Sequence, residues 1–202
     1  MLIAALSRWP GLFPPNFSAF YALAFCAGAF FPRRIQWSLP LGTLVVTDLC
    51  LNLYYLHRGY NVFELRVLCY QLFNYAAFAV LIWLGSRFKR KASFLALLSG
   101  GFLGAILFYL ITNTASWFFN PFNNPEYTKN LEGLIRALTT GTSGWPQTWE
   151  FFRNTLMSGG LFTALFAAAF EVTTSESAEE KEAKEAPPEE ADPEGEPAAE
   201  ET

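Results

Sequence analysis

The chain has 202 residues, 52% of them hydrophobic and 17% aromatic, with a formal charge of −4. Those averages join two unlike parts: no aromatic residue follows Val172, and 12 acids and two lysines put −10 on the tail, leaving +6 on the body. One histidine and three cysteines set inside apolar runs exclude a disulfide framework and a zinc site, and no phosphate-binding loop, nucleophile elbow or paired-histidine motif is present, so no cofactor, metal or nucleic-acid partner is expected.

Residues 1–13, MLIAALSRWPGLF, are apolar but give only about 20 Å of helix, too short to cross a bilayer. They lack a basic leader and a cleavage site, so they read as a half-helix or as a first helix truncated in this sequence, not as a signal peptide. Pro14, Pro15 and Asn16 break the chain before a second helix over 17–31, where Ala24 and Gly28 form a small-residue pair suited to close helix contact.

Pro32, Arg33 and Arg34 lead into the stretch 35–56, about 33 Å if helical and bent at Pro40. It carries Asp48, an acid two-thirds of the way across, which requires a partner or a wet cavity. Tyr54, Tyr55, His57 and Arg58 frame its far end as an interface would. The next span, 62–85, has Glu64 and Arg66 at its mouth and Tyr70, Gln71 and Asn74 deeper, and it ends in Arg87, Lys89, Arg90 and Lys91.

The span 92–118 holds Gly100, Gly101 and Gly104 early and Thr112, Asn113 and Thr114 late. Within 119–148, Leu131, Leu134, Ile135 and Leu138 recur at helical spacing, predicting a short amphipathic helix that lies on the surface or caps the bundle. A last span over 148–170 opens with Trp149, Glu150, Arg153 and Asn154. The tail, 172–202, is too polar to bury a core and reads as disordered.

Counting Lys and Arg in short loops puts Arg33–Arg34, Arg87–Lys91 and the acidic C-terminus in the cytoplasm, and Pro14–Asn16, the His57 turn and the 119–148 segment outside. Asp48, Asn52, Gln71, Asn74, Asn113, Arg153 and Asn154 then fall at one level, in the outer half of four helices. Two readings follow. The groups tie helices together, with Asp48 neutralised by Arg153, or they line an outward-facing pocket for a small ligand. Tyr54, Tyr70, Trp117, Trp145 and Trp149 suit a pocket wall or an interfacial belt, and His57 a surface residue or a ligand contact.

The short leading helix, the PPNF opening of the second, Thr47–Asp48, Thr112–Asn113 and FFRNTLMSGGLF at the start of the sixth resemble an uncharacterised family of bacterial integral membrane proteins. That family is distantly similar to the membrane-embedded S components that bind substrate for energy-coupling-factor vitamin transporters. The resemblance implies a six-helix bundle that takes a vitamin-like molecule from outside under a lid of outer loops, with Asn16, Asp48, Asn113, Arg153 and Asn154 at the pocket. It also implies a separate transmembrane coupling subunit with ATPases. The A-x-x-x-A pair through which S components often dock that subunit has no match in residues 1–13.

The expected protein is therefore all-α: a polytopic transmembrane bundle of about six helices over 1–171, the first short or truncated, with a disordered acidic cytoplasmic tail over 172–202. It sits in the bacterial inner membrane as a substrate-binding or transport-related subunit without catalysis of its own. The alternative is a structural or assembly protein acting through its tail. An intramembrane enzyme built on Asp48 with Glu64 or His57 lacks any nucleophile–base spacing.

Overall fold

The computed structural model describes residues 2–88 and 92–185, with side chains as far as Thr173. Every element among them is an α-helix: α1 (Leu2–Leu6), α2 (Phe20–Phe30), α3 (Ser38–His57), α4 (Leu65–Gly85), α5 (Phe94–Phe119), α6 (Leu131–Leu138) and α7 (Thr148–Glu185). The chain divides into two units, 1–168 and 169–202. Lys89, Arg90 and Lys91 of the basic loop and residues 186–202 of the tail lie outside the described residues.

Four segments, Ser38–His57, Leu65–Gly85, Phe94–Phe119 and Thr148–Thr173, are long and apolar enough to cross a membrane. At 1.5 Å per residue they extend about 30–39 Å. Their outer faces remain apolar: Val46, Leu49 and Leu53 on α3, Leu72 on α4, Leu103 and Leu110 on α5 and Leu161 and Leu165 on α7 are all exposed. So much apolar surface is stable only against an apolar solvent, which makes this a membrane protein.

α2 departs from the expected second span. It has 11 residues, about 16 Å of helix, and every one is buried. It starts only at Phe20 because the Ser18 hydroxyl accepts the Phe20 N–H at 3.1 Å and ends the turn before it. It stops at Phe30 because Phe31, preceding Pro32, is extended. A helix that is hydrophobic all round belongs in a core, and α2 is wrapped by α4 and α5. Phe20, Tyr21, Phe78 and Phe108 form its aromatic centre, with ring centroids 4.7–5.9 Å apart.

Glycine sets the separation of α2 and α4. A Cβ on Gly28 would lie 2.0 Å from the Ile82 carbonyl oxygen, and one on Gly85 would lie 1.9 Å from that of Phe25, so the two backbones touch at both places. Gly101 meets Thr163 and Gly159 meets Ala105, so α5 and α7 also cross on small residues.

Three further boundaries differ from the sequence reading. Pro40 falls in the first turn of α3, where no intrahelical bond needs its missing N–H, so it starts the helix and does not bend it. α1 is five residues long. α7 runs on to Glu185, into the segment read from composition as a disordered tail, and the Ala, Glu and Lys of AEEKEAKE are strong helix formers. Of the cysteines expected in the core, Cys26 is buried, whereas Cys50 is exposed because it faces away from the bundle on α3.

The segment between α5 and α7 caps one end of the bundle. Asn120, at φ 44°, closes α5, and the Trp117 indole donates to the Thr128 carbonyl at 2.7 Å. Lys129 Nζ donates to the carbonyls of Trp117 and Phe118, where the α5 dipole is negative. α6, capped by the Asn130 side chain, packs on α5, and Tyr109 donates its hydroxyl to the Leu138 carbonyl. The amphipathic helix expected here is thus present, and it is a cap. The Ser143 N–H, 3.0 Å from the Glu126 carboxylate, holds that carboxyl below the usual carboxylate range.

The two glycine contacts are expected to tolerate no side chain. Gly28→Ala or Gly85→Ala should lower stability by about 1–3 kcal/mol or more through backbone clash. Gly42→Ala, at an α3 position with nothing within 4 Å, should be neutral or raise it by up to about 1 kcal/mol. Thermal unfolding in detergent compares all three, and an equal response at Gly42 and Gly85 would contradict the proposed close contact.

Candidate functional site

Asp48 is 7% exposed, on the stripe Pro40–Leu44–Asp48 that α3 turns inward at a spacing of four. Its partner is Arg8, which follows α1. The guanidinium donates through Nη2 to Asp48 Oδ1 and through Nη1 to Thr47 Oγ1, with a longer bond of 3.4 Å to the Leu44 carbonyl. Its face lies 5.4 Å from the centroid of Phe20. The expected partnership of Asp48 with Arg153 is not formed. Arg153 is exposed and stands over the Trp149 ring at 5.5 Å. Arg153 enters with the start of α7, whereas the leading segment brings Arg8 directly onto α3.

The second carboxylate oxygen is also occupied. Gln71 on α4 donates through Nε2 to Asp48 Oδ2 at 3.2 Å and reaches the Tyr75 hydroxyl at 3.4 Å. Its carbonyl oxygen accepts from Asn52 Nδ2 at 3.4 Å, one turn along α3 from Asp48. Arg8, Thr47, Asp48, Asn52, Gln71 and Tyr75 thus form one continuous polar network across the leading segment, α3 and α4.

What holds Arg8 there is local. Ser7 Oγ donates to the Ala4 carbonyl at 2.8 Å, accepts the Ala19 N–H at 3.0 Å and meets Ser18 Oγ at 3.0 Å, fixing the end of α1 against the start of α2. Further on, Asn154 Nδ2 donates to the Pro15 carbonyl at 3.0 Å, and the ring of Phe17 meets that of Phe162. Trp9 packs on Tyr54, with centroids 5.5 Å apart. Residues 7–18 therefore form a strap stitched to α2, α3 and α7.

Of the eight residues read as a common site, Asp48, Asn52 and Gln71 are joined by hydrogen bonds. Asn154 and Asn16 meet the strap: the first bonds it, and the second lies in it at φ 60°. Asn74 and Asn113 donate to carbonyls one turn back on their own helices, those of Tyr70 and Tyr109. The aromatic residues do not share a wall, since Trp117 bonds Thr128, Trp145 is exposed and Trp149 lies under Arg153. Arg8 was the residue missed. The signal available was a lone cation in an otherwise apolar 13-residue stretch, which needs an anion as much as Asp48 needs a cation.

Removing one member of a buried ion pair leaves the other charge uncompensated. Arg8→Gln and Asp48→Asn are each expected to lower stability by about 3–5 kcal/mol, with the Arg8→Met/Asp48→Leu double variant recovering much of the loss. Arg153→Gln should stay within about 0.5 kcal/mol of the parent. Thermal unfolding of the four variants beside the parent in detergent reads this out, and a loss at Arg153 matching that at Arg8 would restore Arg153 as the partner.

No curated protein and no solved structure matches the chain. A family model matches residues 1–183. The chain therefore belongs to the family described as Family of unknown function (DUF6580).

Proposed function

We propose that this membrane protein is a substrate-binding or transport-related subunit for a vitamin-like small molecule, with the Arg8–Asp48–Gln71–Asn52 network as its recognition centre and the strap as its cover. The observation that carries the reading is a charged, hydrogen-bonded network inside an otherwise apolar helix bundle. Ionisable groups at such depth are expensive and commonly mark ligand or ion pathways. A guanidinium and two amides would recognise a ligand carrying a carboxylate or a urea-like edge, since a carboxylate accepts from the guanidinium and amide N–H groups and a urea-like edge both accepts from them and donates to the amide oxygens. The resemblance read from the sequence, to a family that is in turn distantly similar to S components, points to the same class. With no nucleotide-binding motif in the chain, energy would come from a separate coupling subunit with ATPases. Positive-inside counting favours a bacterial inner-membrane placement with the strap outside and the acidic C-terminus in the cytoplasm.

One observation favours a second reading. Both carboxylate oxygens of Asp48 already have partners within the chain, as a structural clasp would require. On that reading the protein is an assembly or structural component, and its acidic tail is the part that recruits.

A thermal-shift screen of the full-length protein against vitamins and their precursors separates the two. A ligand at 100 times its Kd should add about 2.7 kcal/mol of stability. The shift should vanish in Asn52→Ala and Gln71→Ala, which leave the ion pair in place. No shift across the panel in a folded sample would favour the clasp, as would loss of cellular function on deleting 172–202.

A further inference from the structure

The end of the bundle that holds the α2–α3 turn and the end of α4 carries a cleft of about 350 Å³ lined by Arg33, Gln36, Trp37, Trp83, Ser86 and Arg87. The sequence around these lining residues is free of acids: none occurs in 31–47 or in 83–100, while six Lys and Arg residues do. Among the described residues neither the Arg33 nor the Arg87 guanidinium has a hydrogen bond or ion pair, and Arg87 lies over Trp83 at 4.6 Å. The cleft opens at membrane-interface level by construction. Trp37 is the residue before α3, Trp83 is in the last turn of α4, and both are exposed. Below it the exposed apolar faces of α3 and α4 begin.

We infer that this cleft binds the phosphodiester headgroup of an anionic phospholipid. The two guanidinium groups would take the phosphate oxygens, because a planar fork of donors matches a phosphate and is weakly hydrated. The Gln36 amide and the two indole N–H groups would take the glycerol oxygens. The indole rings sit where interfacial tryptophans sit, and the acyl chains run down the apolar faces of α3 and α4. A soluble phosphate would satisfy the arginines but would leave the tryptophans and the apolar flank without a partner, which is why the lipid is the occupant that fits.

The test is native mass spectrometry of the detergent-solubilised full-length protein with equimolar phosphatidylglycerol and phosphatidylcholine, followed by titration of each lipid. Phosphatidylglycerol should be retained preferentially, and Arg33→Gln/Arg87→Gln should weaken its apparent affinity about tenfold, with the effect shrinking in high salt. Arg153→Gln, an exposed arginine outside the cleft, should bind as the parent does. If the double variant does not fold, the single variants are titrated, each expected about threefold weaker. Equal retention of the two lipids, or parental affinity in the arginine variants, would overturn the proposal. So would glycerol 3-phosphate or inorganic phosphate stabilising the protein as strongly as the lipid, since the occupant would then be a soluble anion.

Discussion

A carboxylate placed inside an apolar bundle has to be neutralised, and the way Asp48 meets that demand organises one side of this protein. The charge could be compensated by a cation from any neighbouring helix. It is compensated by Arg8, from a segment too short to span the membrane. That choice forces residues 7–18 across α3 and α2 and makes their course part of the electrostatics. α3 itself packs sparsely on α4 and α2, and most of its surface faces outward. The network from Arg8 through Asp48 and Gln71 to Asn52 therefore carries much of what fixes α3 in register. In a low-dielectric surrounding these bonds are individually strong, and each becomes a liability if its partner is lost.

The opposite strategy operates a few ångströms away. α2 has no charged residue, and the Ser7 and Ser18 hydroxyls stand at its entry. It is held by backbone approach at Gly28 and Gly85 and by the aromatic cluster of Phe20, Tyr21, Phe78 and Phe108. Between helices in a bilayer the hydrophobic effect is weak, because lipid is as apolar as leucine. Close van der Waals contact over small residues replaces it. The bundle thus has an interior that depends on shape and a flank that depends on charge, and Phe20, beneath the Arg8 guanidinium, belongs to both.

The helical class, the four long spans and the short amphipathic helix were legible in the sequence, because each rests on a signal that local physics supplies: length against bilayer thickness, or apolar spacing of three and four. What escaped were the places where tertiary context overrides such signals. The run 17–31 has the hydrophobicity of a span, yet Ser18 and Pro32 trim it to 11 buried residues. Pro40 looks like a kink until the helix is seen to start at Ser38.

The candidate site was half legible, and the missing half is of one kind. Counting residues from the ends of a span gives depth, and depth correctly put Asp48, Asn52 and Gln71 at a common level. It says nothing about which way around each helix a side chain points. On α3 the azimuth can be read, since Val45, Val46, Leu49 and Leu53 mark an outward face and leave Leu44 and Asp48 on the other. On α4 and α5 the outward faces are marked by Leu65, Leu68 and Leu72 and by Leu103, Ile106 and Leu110, and Asn74 and Asn113 turn back to their own backbones. For Arg8 even depth was unavailable to counting, because α1 has no second membrane face from which to measure. Charge balance was the usable constraint: an apolar body with one acid at mid-depth and one cation in its shortest apolar run has few ways to satisfy both. Pairing the two exposed-looking anomalies with each other, ahead of either with a residue at a span's mouth, is what the energetics of a buried charge favour.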